Sequence, residues 1–188
     1  MATVVLKDLF YAVVTEALVE NDYKSTYAAP KRLAKAIRAE LSVEVAEATL
    51  YADDGAAETS REFASGTLTL GIDDLTNEVT AELLGQKGGD DGVIYANSGD
   101  AAPYVAVGFR AKKSDGKYKY IWLYKVKFGI PNESYQTKGQ NIEFRTPEIT
   151  GTILQRPDDG DWKADYVATP DDTLAKAWFD EVHEKTSA

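Results

Sequence analysis

The 188-residue sequence predicts a single domain that is mainly β, with antiparallel strands and two short helices. Asp115-Gly116, a strong hairpin signal, lies between two long runs rich in apolar residues. Segments rich in β-branched and aromatic residues recur along the chain. Helical spacing with a capping residue is found in only two stretches, one ending near Leu84 and one at the C-terminus.

The central hairpin is predicted to lie within residues 101–130 and to turn at Asp115-Gly116 through a two-residue loop. This turn sets a register in which Phe109 faces Trp122 and Val107 faces Tyr124. The side chains on that face are all apolar, so we expect them to form the core. The predicted core residues are Val107, Phe109, Tyr120, Trp122, Tyr124 and, on the terminal helix, Trp178.

The opposite face of the hairpin carries lysines at its ends and Ile121 and Leu123 between them. This face is too apolar to be simply exposed to solvent. We expect it to be covered either by the first helix or by a second subunit.

The remaining elements follow from local patterns. Strands are predicted at 4–15, 33–51, 66–72, 93–96 and 141–155, the last bent at Pro147 because proline cannot donate to a ladder. The segment 33–51 contains good helix formers, but apolar and polar residues alternate from Ile37 to Val45, which favours a half-buried strand. Loops are predicted at 16–29, 52–65, 86–92, 131–140 and 156–169.

The first helix is predicted to be capped by Asp73-Asp74 and to end at Leu84, before Gly85. Its apolar stripe should pack on the sheet, while Glu78 and Glu82 face solvent. The second helix is predicted from Pro170 onward, with Asp171 or Asp172 as its first capping residue. Its apolar face consists of Leu174, Trp178 and Val182, and His183 falls in its last turn.

The charge is unevenly distributed. With 31 acidic and 21 basic residues the net charge is −10, which disfavours a protein that binds nucleic acid through its phosphates. Residues 104–128 nevertheless hold seven basic residues and one acid. These lysines either protect a sheet edge from aggregation or meet an acidic face on another copy of the protein.

No catalytic, cofactor-binding or metal site is predicted. The sequence has no cysteine and one histidine, which excludes thiolate sites and histidine clusters. Asp53-Asp54 before Gly55 is typical of a turn and lacks the further spaced oxygen ligands of a calcium loop. A carboxylate pair at glycosidase spacing stays open, because among 31 acids some pair always lies at a workable distance.

No apolar run approaches the roughly 20 residues of a membrane span. The first residues also lack the basic and apolar regions of a signal peptide. We therefore expect a protein that is cytosolic when it is made and has no membrane partner.

Several long segments carry a family resemblance: LKDLFYA, KRLAKAIRAELS, TLYADDG, DDLTNEVTAELLG, APYVAVGFRAKKSDGKYKYIWLYKVKF, ESYQTKG and WFDEV. Over nearly its whole length the chain resembles the major tail proteins of long, non-contractile-tailed bacteriophages of Gram-positive hosts, the phi13-type group. These ordered matches are more specific than a short motif.

The resemblance implies one domain, residues 1–188, with an antiparallel β-sandwich or partial barrel of tail-tube type, a flanking helix and a C-terminal helix. It also implies a structural virion protein without enzymatic activity, assembled in the bacterial cytoplasm into stacked hexameric rings of the tail. Its expected partners are further copies of itself and the tape measure, tail terminator and distal tail proteins. Viral DNA is expected to pass through the acidic lumen without specific binding.

Two charged segments are the predicted assembly interface. The candidates are Asp53, Asp54, Arg61 and Glu62 in the acidic segment, and Arg110, Lys112, Lys113 and Lys119 on the hairpin. The alternative function is a soluble β-sandwich binding or adhesion module, which would stay monomeric.

Overall fold

The computed structural model describes residues 3–20, 22–52, 55–89, 91–132 and 146–185. The strands are β1 (Thr3–Val19), β2 (Asp22–Tyr27), β3 (Lys31–Ala34), β4 (Ala36–Ala52), β5 (Gly55–Ile72), β6 (Lys87–Gly88), β7 (Ile94–Tyr95), β8 (Val105–Lys113), β9 (Tyr118–Phe128), β10 (Glu148–Leu154) and β11 (Lys163–Ala168). The helices are α1 (Asn77–Leu84) and α2 (Thr173–Ala177). The described part of the chain is mainly β with two short helices, in agreement with the sequence.

Nine of these strands form one antiparallel sheet. Its order is β2-β1-β8-β9-β10-β5-β4, with β3 also beside β1 and β11 also beside β9, while β6 and β7 pair separately. The sheet turns back on itself at Lys35, the single residue between β3 and β4. Because β3 pairs with β1 and β4 pairs with β5, the strands wrap around an apolar interior.

Both faces of the central strands are buried, and each face has its own core. The inner core lies inside the curled sheet and contains, among others, Leu9, Leu68, Leu70, Ile72, Leu83, Val105, Val107, Phe109, Ile121, Leu123, Val126 and Ile153. The outer core lies beneath the C-terminal segment and contains Ala12, Val14, Ala106, Tyr120, Trp122, Tyr124, Ala168, Ala175, Trp178 and Val182.

The predicted register of the central hairpin is wrong by one residue. Phe109 lies opposite Ile121 and Gly108 lies opposite Trp122. The turn contains three residues, because the Lys113 N–H donates to the Lys117 carbonyl at 2.9 Å. Gly116 adopts a φ of 83°, the left-handed conformation that three-residue hairpin loops require.

This change of register places Phe109 and Trp122 on opposite faces of the sheet. Gly108 makes the arrangement possible, since its missing side chain leaves room for the indole of Trp122. A bulge between Val105 and Val107 then returns Val105 to its predicted partner, Val126. Ile121 and Leu123 belong to the inner core with Leu83 of α1, so the first helix does pack on their face.

Four predicted loops contain strands. Residues 16–29 hold the end of β1 and all of β2, residues 55–65 are the first half of β5, residues 87–88 form β6, and residues 163–168 form β11. Cross-strand pairing stabilises these strands without a periodic apolar pattern, so the local sequence does not predict them. Asp53, Asp54 and residues 133–145 lie outside the described residues.

Helix α1 is capped by Thr76 and not by the Asp73-Asp74 pair. Asp73 instead accepts a hydrogen bond from the Lys35 backbone N–H at 2.9 Å, at the bend between β3 and β4. Gly85 ends the helix with a φ of 69°, as predicted. Glu82, predicted to face solvent, accepts hydrogen bonds from Lys31 at 2.7 Å and Tyr11 at 2.5 Å, and so ties the helix to the sheet.

Helix α2 begins where predicted, with Asp172 accepting from the Ala175 N–H at 3.1 Å, but it ends at Ala177. Trp178 and Val182 are buried, whereas Leu174 is exposed, so the predicted three-residue apolar face is wrong at Leu174. His183 follows the helix and does not lie in its last turn.

Candidate assembly surfaces

The predicted core residues are all buried in the structure. Val107 and Phe109 lie in the inner core, and Tyr120, Trp122, Tyr124 and Trp178 lie in the outer core. The Trp122 indole N–H donates to the Trp178 carbonyl at 2.9 Å. These residues therefore hold the fold together and are not a contact surface.

The last strand of the sheet, β4, has one free edge. It pairs with β5 on one side, and the described sheet contains no partner for residues 41–52 on the other. Large apolar side chains on this strand are partly exposed, with Leu41 at 37%, Val43 at 40% and Val45 at 53%. An edge of this length with exposed apolar residues is a template for pairing with another chain.

The exposed apolar residues of β4 continue the inner core. Leu41 lies opposite the fully buried Leu68, and Val45 lies opposite Phe63, whose ring stacks on Trp162 at 4.4 Å. Cross-strand partners share a face of the sheet. The predicted alternation therefore places these apolar side chains on the correct face of the strand. The half of this apolar face that lies nearer the free edge is not covered by the described chain.

Beyond Gly66 the β4–β5 hairpin leaves the sheet. β10 pairs with β5 only at residues 66–71, so residues 44–52 and 55–65 form a two-stranded arm. An isolated two-stranded hairpin is marginally stable in water. The arm therefore has much to gain from a contact with another subunit.

The predicted interface residues on the arm are charged and exposed. Arg61 forms an ion pair with Glu47 at 3.0 Å across the two strands. Glu62 is exposed on the neighbouring position. Residues 36–72 hold seven acids and two arginines, so the arm and its base are acidic.

The structure divides the predicted basic interface into two groups. Arg110 is bound to Asp8, and Lys119 approaches Asp165 at 3.4 Å, so both are held within the chain. In the described part of the chain no ion pair involves Lys112, Lys113 or Lys117. We call Lys112, Lys113 and Lys117, at the turn between β8 and β9, the basic end.

A third exposed surface was missed in the sequence because residues 16–29 were interpreted as a loop. The β1–β2 hairpin places Leu18 opposite Tyr23, and these side chains are 62% and 54% exposed. Val19, 49% exposed, lies beside them at the turn. We call the five described residues at this turn, Leu18, Val19, Glu20, Asp22 and Tyr23, the apolar tip.

The apolar tip and the basic end lie at opposite ends of the molecule. β1 starts beside Lys113 and ends at Val19, at the apolar tip. Sixteen residues at about 3.3 Å each separate the two ends by up to about 50 Å. β3 runs antiparallel to β1, and the successive antiparallel pairs from β1 to β4 give β4 the same direction, so the arm points toward the end of the sheet that carries the basic end.

A buried arginine, Arg156, holds the C-terminal segment against the sheet. Its local sequence gives no sign that it is buried. The side chain of Arg156 is 3% exposed and pairs with Asp159 and, at 2.6 Å, with Glu184. Its guanidinium also lies over the ring of Tyr124, 4.2 Å from the centroid. Burial by itself would lower the pKa of Arg156. The hydrogen bond to Asp159 has the larger opposite effect, so the pKa of Arg156 is raised.

The described surface also has two clefts. One, of about 270 Å³, lies beside Tyr124, Trp178 and His183, and the other, of about 870 Å³, lies beneath α1. Among the described residues no group of three or more acids or histidines is arranged to bind a metal. None of the described helices combines the length and hydrophobicity needed to cross a membrane.

Comparison of the sequence with models of known protein families and with curated proteins gave no match.

Proposed function

We propose that this chain is the building block of a bacteriophage tail tube. In this function copies of the chain assemble into stacked hexameric rings in the host cytoplasm, and the rings form the tube of the virion tail. The tube is a conduit through which viral DNA passes without specific binding. The chain is not an enzyme in this proposal, and its other partners are the tape measure, tail terminator and distal tail proteins.

The free edge of β4 is the observation that supports this proposal most. A partly exposed apolar strip continues the inner core to an edge that no described strand covers. Ring closure between copies would cover such edges, which a mainly β chain must otherwise protect. The arm adds a surface that extends past the body of the subunit.

The net charge supports the conduit. At −10 per chain, an assembly of many copies repels phosphates, so DNA slides through the lumen and is not held there. The tail-tube type of fold and the sixfold symmetry come from the family resemblance.

Shortening the arm tests the proposal. Glu47 and Arg61 are cross-strand partners, so residues 48–60 can be replaced by Asn-Gly, which favours a two-residue hairpin turn. We expect the purified wild-type chain to form rings or tubes in negative-stain electron microscopy at high concentration. The shortened chain should keep the same melting temperature within a few degrees but form neither.

One result would contradict the proposal, and a second would remove the arm from it. A wild-type chain that sediments as a monomer at every concentration would favour the binding or adhesion module. Normal tubes from the shortened chain would remove the arm from the assembly surface.

A further inference from the structure

We propose that the apolar tip of one copy binds at the basic end of a second copy, where lysine stems cover Leu18 and Tyr23 and lysine ammonium groups meet Glu20 and Asp22. This inference rests on the proposed self-assembly and names the two surfaces that meet along the tube. The contact is heterologous, since the two surfaces are different and lie at opposite ends of the subunit.

The apolar tip is shaped as a small knob. Leu18 and Tyr23 project side by side from a hairpin that extends beyond β8, since β8 pairs with β1 only as far as Val13. Their exposed fractions, 62% and 54%, are among the largest of any large apolar side chain in the described chain. Burying such a pair favours association because the apolar surface leaves water.

The tip also carries unpaired negative charge. Glu20 and Asp22 flank its turn and are exposed. Neither forms an ion pair with a residue of the described ranges, whereas Glu16, nearer the body, is paired with Lys125 at 2.5 Å. The knob is thus an apolar pair bordered by two carboxylates that have no ion-pair partner among the described residues.

The opposite end of the subunit carries the complementary features. Lys112, Lys113 and Lys117 supply three positive charges against one acid, Asp115. Within the described ranges none of the three lysines forms an ion pair. β1 starts beside Lys113, so the lysines lie at the end of the subunit opposite the tip.

The lysine side chain suits this contact. Its aliphatic stem can cover apolar surface while its ammonium group reaches a carboxylate. Complementary charges would also select the head-to-tail orientation, because two basic ends or two acidic tips repel each other. A head-to-tail contact between different surfaces repeats without limit, as a tube requires.

A charge exchange tests this proposal. We expect K112E/K113E/K117E to raise the concentration needed for assembly about tenfold or more, and E20K/D22K to do the same. The chain that carries all five substitutions should assemble within about threefold of the wild-type concentration. Sedimentation velocity and negative-stain microscopy measure assembly, and thermal unfolding verifies that each variant is folded.

The apolar part is tested separately. L18S/Y23S should prevent stacking without lowering the melting temperature, since both side chains are exposed in the monomer. Tyr95→Ser is the matched control, because Tyr95 is 59% exposed but lies outside both surfaces. We expect this control to assemble like the wild type.

The outcomes separate this inference from the proposed function. Tubes that form normally in the lysine, acid and L18S/Y23S variants would overturn the inference and leave self-assembly through the β4 edge intact. Loss of assembly in the lysine variant alone, without rescue in the five-substitution chain, would assign the basic end to a different partner and overturn it too. A wild type that never assembles would overturn both.

Discussion

Gly108 decides how the hairpin at the centre of the sheet is packed. A Cβ atom at this position would lie 2.6 Å from the ring of Trp122, which is fully buried. The absence of a side chain at residue 108 therefore leaves the space that Trp122 occupies in the outer core.

Gly108→Ala is expected to lower the free energy of unfolding by about 1–3 kcal/mol, since extra volume in a well-packed core forces neighbours out of place. Chemical denaturation measures this loss. Gly88→Ala is the matched control, because a Cβ there meets nothing within 4 Å, and we expect a change within about 0.5 kcal/mol. Equal stability of both variants would mean that Trp122 can be displaced at little cost.

At the scale of elements, the turn at residues 156–161 holds the C-terminal segment against the sheet. Asp159 accepts hydrogen bonds from Arg156 and from the Asp161 N–H, both at 3.0 Å. The Tyr124 hydroxyl donates to the His183 carbonyl at 2.7 Å, and the rings of His183 and Trp178 stack at 5.0 Å. These contacts keep the outer core covered after α2 has ended.

The acid sensitivity of this turn can be measured. Partial burial opposes the charge of Asp159, but the hydrogen bonds from Arg156 and Asp161 outweigh it and hold the pKa of Asp159 below its ordinary value of 3.8. Because the pKa of Asp159 is lower in the folded protein, its charged carboxylate stabilises the fold at any pH above the ordinary pKa. This stabilisation is lost as the pH falls through the lowered pKa.

Asp159→Asn should therefore lower the free energy of unfolding at neutral pH and flatten its decline between about pH 5 and pH 2. Urea denaturation at each pH provides the measurement. Asp171→Asn, which changes an exposed carboxylate, should leave the pH profile unchanged. If the free energy of unfolding of Asp159→Asn still falls steeply in acid, other carboxylates cause the acid sensitivity.

At the scale of the whole molecule, one sheet contributes both of its faces to the stability of the fold. β8 and β9 supply residues to the inner and the outer core, so neither core can open without disturbing the other. This arrangement predicts a single cooperative unfolding transition.

Trp122→Ala is expected to cost about 3–5 kcal/mol and to shift the whole transition. Tryptophan fluorescence reports on the cores and far-ultraviolet circular dichroism on the sheet, and their midpoints should coincide in both proteins. Separate midpoints, or a loss below about 1 kcal/mol, would show that the outer core is a peripheral layer.

The sequence by itself determined the class of the fold, the presence of the central hairpin, the end of the first helix and the start of the second. It also predicted strand structure over residues 33–51, although the structure divides this segment at Lys35 into β3 and β4. These features depend on interactions between residues close in the chain, such as the glycine turn at Gly116, the cap at Asp172 and the alternation from Ile37 to Val45. Local patterns also placed the six core residues among those that the structure buries.

Only the tertiary structure decided the register of the hairpin, the division into two cores and which charged residues pair within the described chain. The three-residue turn and the room beside Gly108 together allow a register that the apolar pattern alone disfavours. In the sequence, nothing distinguishes Arg110 and Lys119 from Lys112 and Lys113. In the structure, Asp8 pairs with Arg110 and Asp165 pairs with Lys119, and both acids come from distant segments. Such pairings depend on residues that are far apart in the chain, and no local pattern records them.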